Sequence, residues 1–162
     1  MSRRVLVAGI GNIFQTDDAF GVDVANRLAQ VSFPEGVRVQ DFGIRGVHLA
    51  YELLDGYDGL ILIDAVPMGE PPGTLAVIQP ELDDAAADAL DAHTMTPEVV
   101  LQTLRHLGGT IERIFVVGCQ PASLAEGMGL TPAVAASLDA AVEMCSQLVM
   151  EIVEPAGKGT SS

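Results

Sequence analysis

Three observations predict an α/β fold with a three-layer α/β/α build. Short apolar runs alternate with amphipathic ones along the chain. The run GLILIDA at 59–65 is apolar nearly throughout, as a strand covered on both faces must be. Residues 132–153 carry a helical apolar stripe long enough to cover one face of a sheet. Together they predict a mostly parallel five-stranded sheet with one antiparallel strand.

In order, residues 4–9 read as a buried strand and 18–30 as a helix with Val22, Ala25, Leu28 and Ala29 on one face. A turn around Pro34 and Gly36 precedes a strand at 37–42, and 46–54 form a short helix. The strand at 59–65 follows, then a break at PMGEPPG. TLAVIQ begins ten residues after Asp64 with no helix between them, too little chain for a parallel crossover, so it is expected to return antiparallel at or near a sheet edge. The acidic, alanine-rich stretch 80–92 reads as a loop or short irregular helix and the most mobile segment. Thr96-Pro97 and Thr131-Pro132 each set a capping hydroxyl before a proline at the first helical position. They open helices at 97–107 and from 132 to about 153, with a last strand at 111–118 between them. Val134, Leu138, Ala141, Cys145, Leu148 and Ile152 make the stripe of the final helix.

The bulk properties narrow the function. The chain of 162 residues is expected to form a single domain over 1–153, followed by a disordered tail at 154–162. Lys and Arg number 8 against 22 Asp and Glu, a net charge of −14 that repels nucleic acid and anionic lipid. No stretch has the length of a secretory signal core or a membrane span, so a soluble, cytoplasmic protein without membrane or nucleic-acid partners is expected. Cys119 and Cys145 form no metal-type spacing and are expected to stay reduced. A monomer is expected, because no apolar helix stripe exceeds what the sheet needs.

Ligands of open parallel sheets gather outside the carboxyl ends of the strands. The first strand delivers Gly9, Gly11, Asn12, Asp17 and Asp18 there, the second Asp41 and Gly43, and the third Asp64. The loop beyond Asp64 leads on to His93, and the last strand ends on Gly118-Cys119-Gln120-Pro121. A dinucleotide loop needs a third glycine where Phe14 stands, and phosphate would meet Asp17 and Asp18 at a cost of about several kcal/mol. No nucleotide or flavin is therefore expected. Asp18, Asp64 and His93 offer instead two carboxylates and an imidazole, a donor set suited to a divalent transition metal with open coordination positions.

Each residue also has an ordinary reading. Asp17 or Asp18 is placed to cap the first helix, one acid taking that role and the other a ligand role. Asp64 can bond the backbone of its own turn, and Asp41 can hold the loop around Gly43 or support the site from behind. His93 can be a solvated loop residue, while His48 and His106 read as helix-surface or structural residues. Cys119 has no base near it in sequence, which argues against a nucleophilic thiol.

GIGNIFQTDDAFGVDVANRL resembles the opening motif of the hydrogenase maturation proteases, G-x-G-N followed by an acidic pair and a further glycine. The resemblance continues in order through DFGIRG, LILIDAV, DAHTMTP and VVGCQPASLAEGMGLTP, to about residue 150. In that family the metal is held by the second acid of the pair, the aspartate closing the third strand and the histidine of the DAH segment. The resemblance thus implies Asp18, Asp64 and His93 as metal ligands. Two departures mark this chain: aspartate at Asp18 where the family often has glutamate, and Asp41-Phe42-Gly43-Ile44 where it often has D-G-G-T.

What the resemblance implies is an endopeptidase that removes a C-terminal extension from the large-subunit precursor of a nickel–iron hydrogenase after nickel insertion. The nickel cofactor would come with the substrate, whose own ligands complete the site. Nickel could polarise the scissile carbonyl or activate a bound water; alternatively it positions the substrate while Asp18, Asp64 or Asp41 acts as catalytic base. The alternative of another class is a non-catalytic nickel-binding chaperone of the same large subunit.

Overall fold

The computed structural model describes residues 3–44, 46–79 and 97–154. Five strands alternate with helices: β1 (Val5–Ile10), α1 (Phe20–Leu28), β2 (Val37–Gly43), α2 (Gly46–Leu53) and β3 (Gly59–Ala65) come first. Then follow β4 (Leu75–Ile78), α3 (Pro97–His106), β5 (Arg113–Cys119), α4 (Pro132–Ala135) and α5 (Leu138–Val153). The strands form one sheet in the order β2-β1-β3-β5-β4. All neighbours are parallel except β4, which runs antiparallel to β5 at the edge, as the short link after Asp64 requires.

Alternation of side chains along the strands divides the core between two faces. On one, Val5 and Val7 of β1 and Ile61 and Ile63 of β3 pack with Phe20 and Val24 of α1 and Ala141, Cys145 and Ile152 of α5. On the other, Leu6, Ala8 and Ile10 of β1 and Leu60 and Leu62 of β3 pack with Leu49 and Leu53 of α2 and Leu104 of α3. The three-layer build follows directly. The predicted stripe of the last helix, from Val134 to Ile152, is buried throughout.

Two glycines bring α1 close to the sheet. A Cβ on Gly21 would run into the carbonyl oxygens of Ile63 and Ile10, and one on Gly9 would run into that of Gly21. Without those side chains the start of α1 sits directly on β1 and β3, and the loop before it hangs over their carboxyl ends.

Three local expectations are corrected. The helix predicted at 18–30 opens as a 3₁₀ turn, Thr16–Ala19, with the α-helix running only from Phe20 to Leu28. Its buried face includes Val24, while Ala29 is exposed. The last helix is two pieces, because the Ser137 hydroxyl bonds the Val134 carbonyl at 2.7 Å and tightens the turn between α4 and α5. The Thr131 hydroxyl caps nothing at α4; it is spent on Asp17. Thr96 and the stretch 80–92 lie outside the described residues, as does the tail beyond 154. Among the described residues no helix is long and apolar enough to cross a membrane.

Candidate active site

The chain passes from β1 to β2 on one side and then to β3 on the other side of β1, so the sheet's direction of winding changes at β1. Crevices of open α/β sheets form at such a point. Register aligns the strand ends there: Gly9 lies between Asp41 of β2 and Ile63 of β3, and Asp64 lies beside Gly118 of β5.

The loop leaving β1 is folded by its own polar groups. Gly11 takes φ +145°, and a Cβ there would collide with the carbonyl oxygen of Asp18. Its N–H donates to the Gly43 carbonyl at 2.8 Å, tying this loop to the end of β2. The Asn12 N–H donates to Asp18 Oδ2 at 2.8 Å, while Asn12 Oδ1 accepts from the Phe14 N–H at 2.9 Å. One carboxylate oxygen of Asp18 is thus fixed by backbone.

Neither acid of the pair caps α1 with its side chain. Asp17, fully buried, reaches across to the loop between β5 and α4. Its Oδ2 accepts the N–H groups of Ala122 at 2.8 Å and Ser123 at 3.0 Å, and its Oδ1 accepts that of Thr131 at 2.7 Å. The Thr131 hydroxyl lies 2.8 Å from Oδ2. Burial pushes this carboxyl's pKa up, but the donors outweigh it and hold the pKa below its ordinary value. Backbone bonds reinforce the knot, from Thr16 N–H to Gly127 at 2.9 Å and from Gly127 N–H back to Phe14 at 2.9 Å.

Asp64 is placed differently. Burial of its carboxyl, and then the negative charge of Asp18, push its pKa well above the ordinary value; the Ala65 N–H works the other way. Asp64, half-buried at the end of β3, thus lies within the field of Asp18 in the turn that follows β1. Asp41 is exposed and lies two strand spacings from β3, roughly 10 Å by sheet geometry. His93 lies outside the described residues. Among the described residues no cluster of three or more His, Cys, Asp or Glu side chains capable of holding a metal ion occurs, so Asp18 and Asp64 stand as a pair.

His48 and His106 are exposed on α2 and α3, as expected. Cys119 is fully buried, with Ser137 Oγ 3.5 Å from its sulfur, and burial raises its pKa. Cys145 is pushed up to about 12 by burial. Both thiols are free, and neither has the character of a nucleophile.

Two residues named in the sequence have roles that the sequence reading did not assign. Thr131 carried a signal, a hydroxyl before a proline, that pointed to the wrong partner. Gln120 uses its side-chain carbonyl to accept the N–H groups of Met68 and, at 3.3 Å, Glu70, clasping the loop that leaves Asp64. Its only signal was its place at the exit of β5.

The fold and rim define an α/β protein with paired carboxylates at the switch point of its sheet. The family model for hydrogenase maturation proteases matches residues 22–148. A Rhodobacter capsulatus hydrogenase expression/formation protein, HupD, is 36% identical over 143 residues, covering 86% of this chain and 68% of its own. The Escherichia coli hydrogenase 2 maturation protease is 35% identical, covering 86% and 87%. Among solved structures, the E. coli hydrogenase maturating endopeptidase HybD superposes with a TM-score of 0.78 at 32% identity, over 91% of this chain and 93% of that one. The chain belongs to the hydrogenase maturation protease family.

Proposed function

We propose that this protein is an endopeptidase that removes a C-terminal extension from the large-subunit precursor of a nickel–iron hydrogenase once nickel is in place. The reading is carried by one observation: at the switch point, the carboxyl of Asp64 at the end of β3 is desolvated and feels the negative charge of Asp18 in the turn that follows β1. Such a pair gains from a cation, which offsets both the burial and the repulsion. Asp18, Asp64 and, from the segment beyond β4, His93 would hold nickel carried by the precursor, whose own ligands fill the remaining positions. The residues fit a divalent transition metal, being oxygen and imidazole donors without thiolate.

Asp17 contributes by position. Its buried hydrogen bonds fix the peptide that carries Asp18, so that carboxylate meets its partner without reorganising. Bound nickel would supply Lewis-acid polarisation of the scissile carbonyl or of a water. The family relationship supports the peptidase class, and the location expected for such a step is the cytoplasm.

The test mixes purified protein with nickel-loaded and nickel-free precursor and follows the large subunit by intact mass. Loss of a C-terminal fragment from the nickel-loaded form alone is the expected result. Tight binding of that form without any loss of mass would replace the peptidase with a nickel-binding chaperone.

A further inference from the structure

A cavity of about 600 Å³ opens between the loop after β1 and the end of β2. Its apolar wall comes from Ile13, Phe14, Val22, Phe42 and Ile44. Three of these would ordinarily be covered: Ile44 is 65% exposed, Phe14 59% and Ile13 40%. They stand together at one mouth, where exposed apolar side chains mark a binding surface more than they do when scattered. In the neighbouring loop Met128 is 71% exposed, and the preceding Gly127 donates its N–H to the Phe14 carbonyl.

The cavity adjoins the candidate active site. Asn12 lines it and donates its N–H to Asp18, and Gly11 and Gly43, bonded to each other at 2.8 Å, line it too. β2, one of the two edge strands of the sheet, lines the cavity with Gln40, Asp41, Phe42 and Gly43.

Charge identifies the occupant further. Asp41 lines the cavity, is exposed, and has no ion-pair partner among the described residues, whose ion pairs lie elsewhere. The whole chain carries −14. An apolar hollow with an exposed carboxylate on its wall complements an apolar side chain beside a cationic one.

Resting on the peptidase reading, we propose that this cavity is the docking site for an extended segment of the precursor polypeptide. An apolar side chain of that segment fills the space between Phe14, Phe42 and Ile44, and an adjacent Lys or Arg pairs with Asp41. Phe42 and Ile44 then set which precursor is accepted, since they form the wall that the apolar side chain must match.

The experiment measures both binding and cleavage of nickel-loaded precursor, by fluorescence anisotropy and by intact mass. It compares the wild type with Ile44→Asp, Phe14→Ser, Asp41→Asn and the control Val31→Asp, which alters an exposed residue just past α1, toward the opposite end of the sheet. Ile44→Asp and Phe14→Ser are expected to weaken binding at least tenfold while Val31→Asp leaves it within twofold. Asp41→Asn is expected to flatten the loss of affinity between low and high salt. Circular dichroism melts of each variant confirm folding; Ile44 and Phe14 are exposed enough for these changes to spare the core. Unchanged binding by both cavity variants would overturn the docking site even if the wild type cleaves. Wild-type binding without cleavage would remove the peptidase reading and leave the cavity to be judged by the binding results. No wild-type binding would remove both.

Discussion

Asp17 and Asp64 are both aspartates beneath the same rim, yet their surroundings have opposite effects. The Asp17 carboxylate is met by three backbone N–H groups and a hydroxyl, and its anion is favoured although fully buried. The Asp64 carboxylate meets burial and the charge of Asp18, with the Ala65 N–H as its counterweight, and its anion is disfavoured. Burial alone therefore does not say what an acid is for. The number of donors aimed at it separates a brace within the fold from a group that awaits a positive charge.

The largest expected effect tests the second half of that contrast. Asp64→Asn and Asp18→Asn should each reduce precursor processing by at least about 100-fold, since a ligand is lost. The same loss is expected of His93→Ala. In a thermal melt Asp64→Asn should be as stable as the wild type or more so, because it removes a disfavoured charge. Full processing by all three variants would end the metal-site proposal.

Asp17→Asn should do the reverse, unfolding the protein more readily. An amide NH₂ would face the N–H groups of Ala122 and Ser123 or of Thr131, leaving donors opposed, at a cost of about 2–4 kcal/mol. The shift in urea midpoint measures it. A loss below about 0.5 kcal/mol would mean that the knot contributes little.

The pH dependence of stability sharpens the comparison, and its sign differs for the two residues. For Asp17 the folded pKa lies below the ordinary 3.8, so its contribution is full above that value and is lost as pH falls through the folded pKa. Asp17→Asn should flatten the acid limb of the stability curve. For Asp64 the folded pKa lies above 3.8, so a penalty is absent in acid and grows as pH rises towards that raised pKa. The advantage of Asp64→Asn should accordingly widen upward from about pH 4. Parallel curves for wild type and both variants would contradict this pairing of signs.

The smallest effect concerns the thiols. Iodoacetamide at neutral pH should label neither Cys119 nor Cys145 in the native protein, since both are buried and hold their protons. Rapid native labelling of Cys119 would reopen a thiol mechanism.

Much of the fold was legible because it rests on local pattern. The apolar run at β3, the turn before β2 and the chain length before β4 each determine one outcome. The break between α4 and α5 was not legible, because Val134 and Leu138 keep helical spacing across it and both are buried. Only the hydrogen bond of Ser137 to the Val134 carbonyl reveals the turn. In the candidate site, Asp18 and Asp64 were legible as acids at strand exits, and the charge of Asp18 is felt at Asp64. The partners of Asp17 were not, since Ala122 and Ser123 act through backbone N–H groups, which leave no mark in the choice of residue. Cys119 was read as lacking a base near it in sequence; the burial of both thiols is a further reason they are inert.

The Asp17 knot has a consequence for the order in which this protein becomes competent. It joins Thr16 and Asp17 to a segment more than a hundred positions later. During synthesis the amino-terminal acids emerge from the ribosome long before Thr131, and until it arrives the buried carboxylate lacks most of its donors. The rim is thus completed only once Thr131 has been made, so a product stalled before it carries the acids without the arrangement that gives them a use.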